Sequence, residues 1–430
     1  MKRNEFLRYS ASAAFGAALF PSLALAGAGS PRPAPAAPQG APEGMEGEKF
    51  WEFVRAQFPL THERAYLNTG GLGASPFAVI DAVKARMEEL EKICETGHSE
   101  ELLNGIKKDA GALLGCDAAE LAFTRNTTEG INIVANGLPL KRGDEVILTT
   151  QEHVANAFTW LAMAKREGIV LRLFEPSVVS DQANIDALSG CITKRTRLIS
   201  IPHALTTTGT VMPVRQIAQI ASAKKIWFFV DGAQTAGMLP FSLHELGCDA
   251  YATSGHKWLL GPKETGLLYV RKEMLDTIAA KATGAYSGPF DLLKGTVGFE
   301  PSAQRYEYGT VSIPLRVGLG EAIAFIRNIG VERIWKRDRM LADALVAGLG
   351  SLPSIMLVSS ADPALRTSMV TIQHRTVGHE KLQAHLDTYN LRTRSVTEGG
   401  LAALRISFHI YNTPGEVSRV LEALSTVPKG

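Results

Sequence analysis

The sequence predicts an α/β fold: a large domain with a mostly parallel sheet covered by helices, followed by a smaller C-terminal α+β domain. Two observations predict it. From residue 66 to 310, short continuous apolar runs alternate with helical segments. Strands that are apolar throughout are those buried on both faces, as in a parallel sheet between helix layers. From residue 311 to 430 the texture changes to long helical stretches with two isolated strand-like runs, the pattern of a separate α+β unit.

Within the large domain, "LAFT" (121–124) precedes a helical "TTEGINIVANGL", and "EVILTT" (145–150) precedes "HVANAFTWLAMAKREG". Then come "VLRLFE" (170–175), "RLISIPH" (197–203) and the helical "VRQIAQIASAKK". The runs "IWFFVD" (226–231), "YATSG" (251–255) and "TGLLYV" (265–270) complete the sheet. In the smaller domain, "PLRVGLGEAIAFIRNIGVERIWKRDRMLADALVAGLGSL" reads as one long helical stretch. "SMVTIQH" and "LRISFH" read as strands, and "TPGEVSRVLEALSTV" as a closing amphipathic helix.

Ahead of the fold, residues 1–26 have the layout of an export signal: a basic start, a small apolar stretch and an A-x-A site at Ala24–Ala26. "RNEFLR" follows the twin-arginine pattern R-R-x-F-L-K, with Asn4 at the second arginine. Residues 27–44 form a Pro/Ala-rich linker and 45–65 an N-terminal segment. The expected location is periplasmic or secreted, by twin-arginine export, with no membrane attachment once the signal is removed.

Composition excludes several classes. The 430 residues carry a formal net charge of +2, so no basic surface for nucleic acid is expected. The four cysteines, Cys94, Cys116, Cys191 and Cys248, show no metal-ligand spacing and are too few for a disulfide scaffold. "GGLGASP" (70–76) has Pro76 where a dinucleotide loop needs its third glycine, and reads as a turn near a ligand. "HEKLQ" (379–383) lacks the second histidine of H-E-x-x-H and reads as a solvated helix start.

The chemistry lies at the strand ends. Open parallel sheets bind ligands at the carboxyl ends of their strands. There the sequence places Thr127 and Thr128, His153, His203, Asp231 and Lys257. Lys257 sits in "SGHKWLLGPK" among apolar and aromatic residues, where an ammonium ion is costly to bury. An amine that condenses with an aldehyde disposes of that charge. A buried carboxylate keeps a heteroaromatic ring nitrogen protonated, a helix start holds a phosphate, and an imidazole stacks on a flat ring. Together these are the requirements of pyridoxal 5′-phosphate (PLP). His203 reads as structural.

The motifs "RNTTEGIN", "QEHVANAFTW", "VDGAQTAG", "SGHKWLLGPKETGLLYVR", "YEYGT" and "LRISFHIYNT" resemble, in order, those of the class V aminotransferase-like, fold-type I PLP enzymes. "GHKW" with "GPKE" is most similar to the isopenicillin N epimerase-like branch. The resemblance implies that Lys257 is the Schiff-base lysine and proton shuttle at the substrate Cα. It implies that Asp231 pairs with the pyridinium nitrogen, that Gln234 contacts the ring oxygen and that His153 stacks on the ring. Thr127, Thr128, Ser254 and His256 would hold the phosphate, with Thr310 from the neighbouring subunit of a homodimer, and Arg405 would take the substrate carboxylate.

Two departures stand out. Cysteine desulfurases of this family carry a nucleophilic cysteine in the loop before the substrate arginine. Here that loop, "RTRSVTEGGLAAL" (392–404), has none. Thr206 also replaces an asparagine common near the cofactor oxygen. The expected activity is therefore a PLP-dependent aminotransferase or epimerase acting at the α carbon of an amino acid or peptide, tailoring an exported metabolite. The alternatives are a PLP-dependent lyase (C–S or β-elimination), or a binding protein of the same fold without turnover.

Overall fold

A computed structural model describes residues 44–428. The export signal expected at 1–26 and the linker expected at 27–44 lie outside those residues, Gly44 apart. Seven strands form the main sheet: β1 (Leu121–Thr124), β2 (Glu145–Thr149), β3 (Val170–Phe174), β4 (Thr196–Pro202), β5 (Trp227–Asp231), β6 (Ala250–Ser254) and β7 (Gly266–Val270). Their order is β1-β7-β6-β5-β4-β2-β3. All seven apolar runs singled out in the sequence are strands.

Alternation along each strand sends side chains to two separate cores. Phe123, Ile147, Ile199, Phe228, Val230 and Leu267 pack on one face. Ala122, Val146, Leu148, Leu198, Phe229 and Leu268 pack on the other. Helices α1 (Glu100–Leu114) and α4 (Val214–Ala223) cover the first face through residues such as Leu114 and Ile217. Helices α2 (Thr127–Gly137) and α3 (Val154–Glu167) cover the second through Ile131, Val134 and Trp160.

One strand departs from the parallel pattern. β7 runs antiparallel to both β6 and β1. The chain between β6 and β7 is the loop 255–265, with no helix in it. A parallel return needs a crossover of a dozen or more residues, usually helical, so a short loop turns the strand back antiparallel. That loop carries Lys257. Because β1 is antiparallel to β7, it again points the same way as the rest. The carboxyl ends of β1, β2, β4, β5 and β6 therefore share one rim.

The long helical stretch after 311 is two helices, α5 (Ile313–Ile329) and α6 (Val331–Leu349), not one. Gly330 separates them with φ of 88°, a left-handed conformation that favours glycine and cannot continue a helix. Ile313, Leu319 and Ile323 of α5 join the first core of the large sheet. The expected division at 310/311 thus falls ahead of a helix that belongs to the larger core.

A second, four-stranded sheet has the order β8-β9-β11-β10, from β8 (Ile355–Leu357), β9 (Met369–His374), β10 (Arg394–Val396) and β11 (Ala403–Ser407). Its core holds Leu341 and Leu345 of α6, Leu382 and Leu386 of α7 (His379–Thr388) and Val417 and Val420 of α8 (Pro414–Ser425). "HEKLQ" indeed opens a helix. α8 begins with a capping box between Thr413 and Glu416, which satisfies two amide donors that a helix start leaves open. The short strand Ala65–Tyr66 pairs in parallel with Leu391–Arg392 as a separate two-stranded sheet, and a bridge between Asn68 and Ser407 ties the N-terminal segment to β11. Among the described residues no helix is long and apolar enough to cross a membrane.

Candidate active site

The common rim encloses a cavity of about 290 Å³ lined by Thr127, Thr128, His153, Asp231, Ser254, His256 and Lys257, together with Gly70, Gly71, Asn126, Thr206 and Arg394. Seven residues expected in the site from sequence therefore meet on one wall. The turn "GGLGASP" reaches it as well.

Lys257 is the centre. It is buried, 8% exposed, and its Nζ has no hydrogen-bond partner among the described residues. Burial pushes its pKa down to about 8, against the pull of the Asp231 charge and with the help of Arg405 and Arg394. Near neutral pH a useful fraction is thus free amine, the nucleophilic form. The loop is held by the turn beneath it: the amide of Gly73 donates to the His256 carbonyl at 2.7 Å. A Cβ at Gly73 would lie 1.9 Å from the Lys257 carbonyl oxygen, so only glycine lets the two backbones meet.

Asp231 ends β5, with one carboxylate oxygen accepting the Ala233 amide at 2.9 Å. The other has no hydrogen bond among the described residues. Burial raises its pKa; that hydrogen bond and Lys257 oppose the rise. His153 caps α3, its Nδ1 accepting the Ala155 amide at 3.2 Å. Burial, then Lys257 and Arg394, push its pKa down to about 4, so the ring is neutral at pH 7. A neutral ring is what stacking against another flat ring needs.

The phosphate-type subsite is the start of α2. Asn126 is its N-cap, taking the Glu129 amide at 3.0 Å. Thr127 and Ser254 share a hydroxyl hydrogen bond of 2.7 Å, and the Thr127 amide donates to the Ser254 hydroxyl at 3.0 Å. His256 carries a buried Nδ1 with no partner. An orphaned imidazole nitrogen and hydroxyls beside a helix N-terminus are the donor set for an anion.

Three predicted residues lie elsewhere. Gln234 stands behind the wall and not on it: its amide nitrogen donates to the Gly70 carbonyl (2.9 Å) and the Thr206 hydroxyl (3.1 Å). Its amide oxygen accepts the Trp258 indole N–H at 2.9 Å. It thereby fixes the wall. Arg405 is likewise fully buried behind the wall, donating to the Thr206 carbonyl (2.6 Å) and hydroxyl (2.9 Å) and to Asn68 (3.1 Å). Thr310 lies in a separate cavity of about 320 Å³ with Glu264 and Arg316, so within one chain it does not reach Lys257. His203 is structural, bonded to the Tyr251 hydroxyl at 3.1 Å. Arg394, the arginine that does face the cavity, was not singled out from sequence.

All four cysteines are free, and none lines the Lys257 cavity. Cys248 is buried in the first core with Cys116 packed at its edge. Cys191 ends a helix and bonds the Leu173 carbonyl, and Cys94 is exposed at the end of the helix Phe77–Ile93.

Fold and site together define a PLP enzyme of fold type I. The chain belongs to the aminotransferase class V family, whose model matches residues 80–420. It is 29% identical over 402 residues to a cysteine desulfurase of Salmonella agona (87% of this chain, 98% of that one). It is 30% identical over 400 residues to a probable cysteine desulfurase 2 of Mycobacterium leprae (86% and 94%). Among solved structures it is similar to the cystine C–S lyase C-DES in complex with its product cysteine persulfide. That match has 27% identity and a TM-score of 0.80, covering 86% of this chain and 100% of that one. A further structure of C-DES has glycine covalently linked to its PLP cofactor. These relatives are desulfurases and a lyase, where the sequence motifs pointed towards an epimerase-like branch.

The cofactor is PLP, and the residues present fit it. Lys257 offers an unpartnered amine and Asp231 an unbonded carboxylate oxygen. The α2 start with Thr127, Thr128, Ser254 and His256 offers an anion site, and His153 a neutral ring.

Proposed function

We propose that the protein is a PLP-dependent lyase that breaks the Cβ–S bond of a sulfur-containing α-amino acid by elimination. The observation that carries this reading is a site lined by an amine, a carboxylate and one guanidinium but no thiol. With no cysteine on the wall, no protein sulfur is placed to receive the sulfur of the substrate. It leaves on the substrate's own fragment, as the printed product of C-DES does.

When bound, PLP supplies the electron sink that makes the Cα–H bond acidic. The chain's own residues do the rest. Lys257 removes the proton from Cα, and its pKa near 8 suits a general base at neutral pH. Asp231 holds positive charge at the cofactor's ring nitrogen. His153 covers the ring and, being neutral, adds no charge against Lys257. The start of α2 holds the phosphate. Arg405 anchors the wall through Thr206 and Asn68 beside the substrate's α-carboxylate.

With cystine the reaction balances as cystine plus water giving cysteine persulfide, pyruvate and ammonia. The Cα–H and Cβ–S bonds break, the electron pair of the latter leaves with sulfur, and the released enamine hydrolyses. Incubation of holoenzyme with L-cystine is expected to yield pyruvate and persulfide in equal amounts, with no keto acid added. Keto-acid-dependent amino transfer, or solvent deuterium entering Cα without pyruvate, would instead support the aminotransferase or epimerase reading and overturn this one.

We also propose that residues 1–26 direct export, with the mature chain acting as a periplasmic homodimer in which Thr310 faces the neighbour's phosphate site. Cell fractionation and light scattering test both. A cytoplasmic, uncleaved protein would remove the first proposal, and a monomer the second.

A further inference from the structure

Across the antiparallel pair β10–β11, Arg394 stands directly opposite Arg405. Residues so paired carry their Cβ atoms about 5 Å apart on one face of the sheet, and like charges in that position destabilise it. The two arginines are nevertheless spent differently. Arg405 is fully buried, and its terminal nitrogens are taken by Thr206 and Asn68. Arg394 lines the Lys257 cavity, and its side chain remains 30% exposed.

Arg394 is also held in place. It bonds and ion-pairs with Glu398, and Glu398 accepts the Thr397 amide at 3.1 Å. The turn Glu398–Gly400 sits against Gln151, next to the His153 loop. Among the described residues Glu398 pairs with Arg394 and no carboxylate pairs with Arg405, so the two opposed guanidiniums share one counter-charge and this side stays cationic. Arg394 also contributes to depressing the Lys257 and His153 pKa values, behind burial, which places its charge within range of both. The cofactor's phosphate does not account for it, since Thr127, Thr128, Ser254 and His256 at the α2 start already offer an anion site.

We propose that Arg394, positioned by Glu398, receives a second carboxylate on the substrate, remote from the one at Cα. The preferred substrates are then cysteine derivatives whose sulfur carries a carboxylate-bearing leaving group, as in cystine. This rests on the lyase reading above. A guanidinium fork is suited to bidentate carboxylate recognition.

The test compares L-cystine with S-methyl-L-cysteine, which lacks the second carboxylate. In Arg394→Met holoenzyme, the ratio of kcat/KM for cystine to that for S-methylcysteine is expected to fall roughly 10- to 100-fold, mostly through KM. Arg394→Lys, which keeps charge but loses the fork, is expected to restore part of it. An unchanged ratio overturns the proposal; if both substrates fall together, Arg394 holds the α-carboxylate instead. A second arm needs no turnover: calorimetric titration of holoenzyme with glutarate and with butyrate. Wild type is expected to prefer glutarate, and Arg394→Met to lose that preference. Equal binding of the two by wild type also overturns the proposal. If no sulfur amino acid yields pyruvate, the lyase reading fails while the titration still decides the role of Arg394.

Discussion

Lys257→Ala is expected to abolish the visible absorption of the holoenzyme and to lower turnover by a factor on the order of 10⁴ or more. The variant loses both the amine that tethers the cofactor and the base at Cα. It should nonetheless fold. Depressing the lysine pKa from 10.5 to about 8 corresponds to about 3 kcal/mol of unfavourable charge burial. Truncating a buried side chain costs about 2–5 kcal/mol, so the two effects offset. The sign with pH follows. Between about 8 and 10.5 the unfolded chain binds the proton that the folded apo-protein does not, so wild-type apo-protein gains stability as pH rises through that window. Below pH 8 the penalty is fully present. Lys257→Ala should lack this dependence, which thermal melts at pH 7 and pH 10 can read. A variant that retains turnover would remove Lys257 from the mechanism.

The strands were legible because most are short apolar runs bounded by turn residues and separated by helical segments. Their direction was not: an apolar run carries no sign, and only the short loop 255–265 turns β7 against its neighbours. The break at Gly330 was hidden because buried apolar residues keep helical spacing on both sides of it, at Ile323 and Ile326 before and at Ile334 after. In the site, residues at strand ends were readable one motif at a time. Trp258 was not, because its partner Gln234 belongs to another motif and the indole N–H matters only through that amide. The bond explains why a tryptophan follows Lys257: it orients Gln234, which in turn holds Gly70 and Thr206 on the wall. Arg394 was missed for a related reason. Its meaning comes from the strand register that sets it opposite Arg405, and register is a property of the paired sheet that neither strand records alone. The missing cysteine in 392–404 was readable, and it agrees with the structure: the cavity holds no thiol.

Asp231→Asn is expected to separate stability from catalysis. Burial raises the pKa of this carboxyl, so in the folded apo-protein it takes up protons that the unfolded chain has already released. Stability therefore falls as pH rises through the window above the ordinary aspartate value, and at pH 7 the penalty of a buried charge is in force. The amide removes that charge while its oxygen can still accept the Ala233 amide, so the apo-protein should melt at a higher temperature at pH 7. It should melt at about the wild-type temperature near pH 3, where the carboxyl is neutral in both states. Lys257 responds too. Asp231 is the charge that raises its pKa, so in the variant the lysine titrates below 8, and capture of PLP by apo-protein reaches its plateau at lower pH. Turnover moves the other way. An amide N–H facing the cofactor's ring nitrogen cannot hold a proton there, and loss of one preorganised electrostatic partner costs on the order of 10²–10³-fold in kcat. A more stable apo-protein with cofactor bound and turnover lost is the signature of a charge placed for chemistry. Equal losses of melting temperature and activity would mean instead that Asp231 only holds the end of β5.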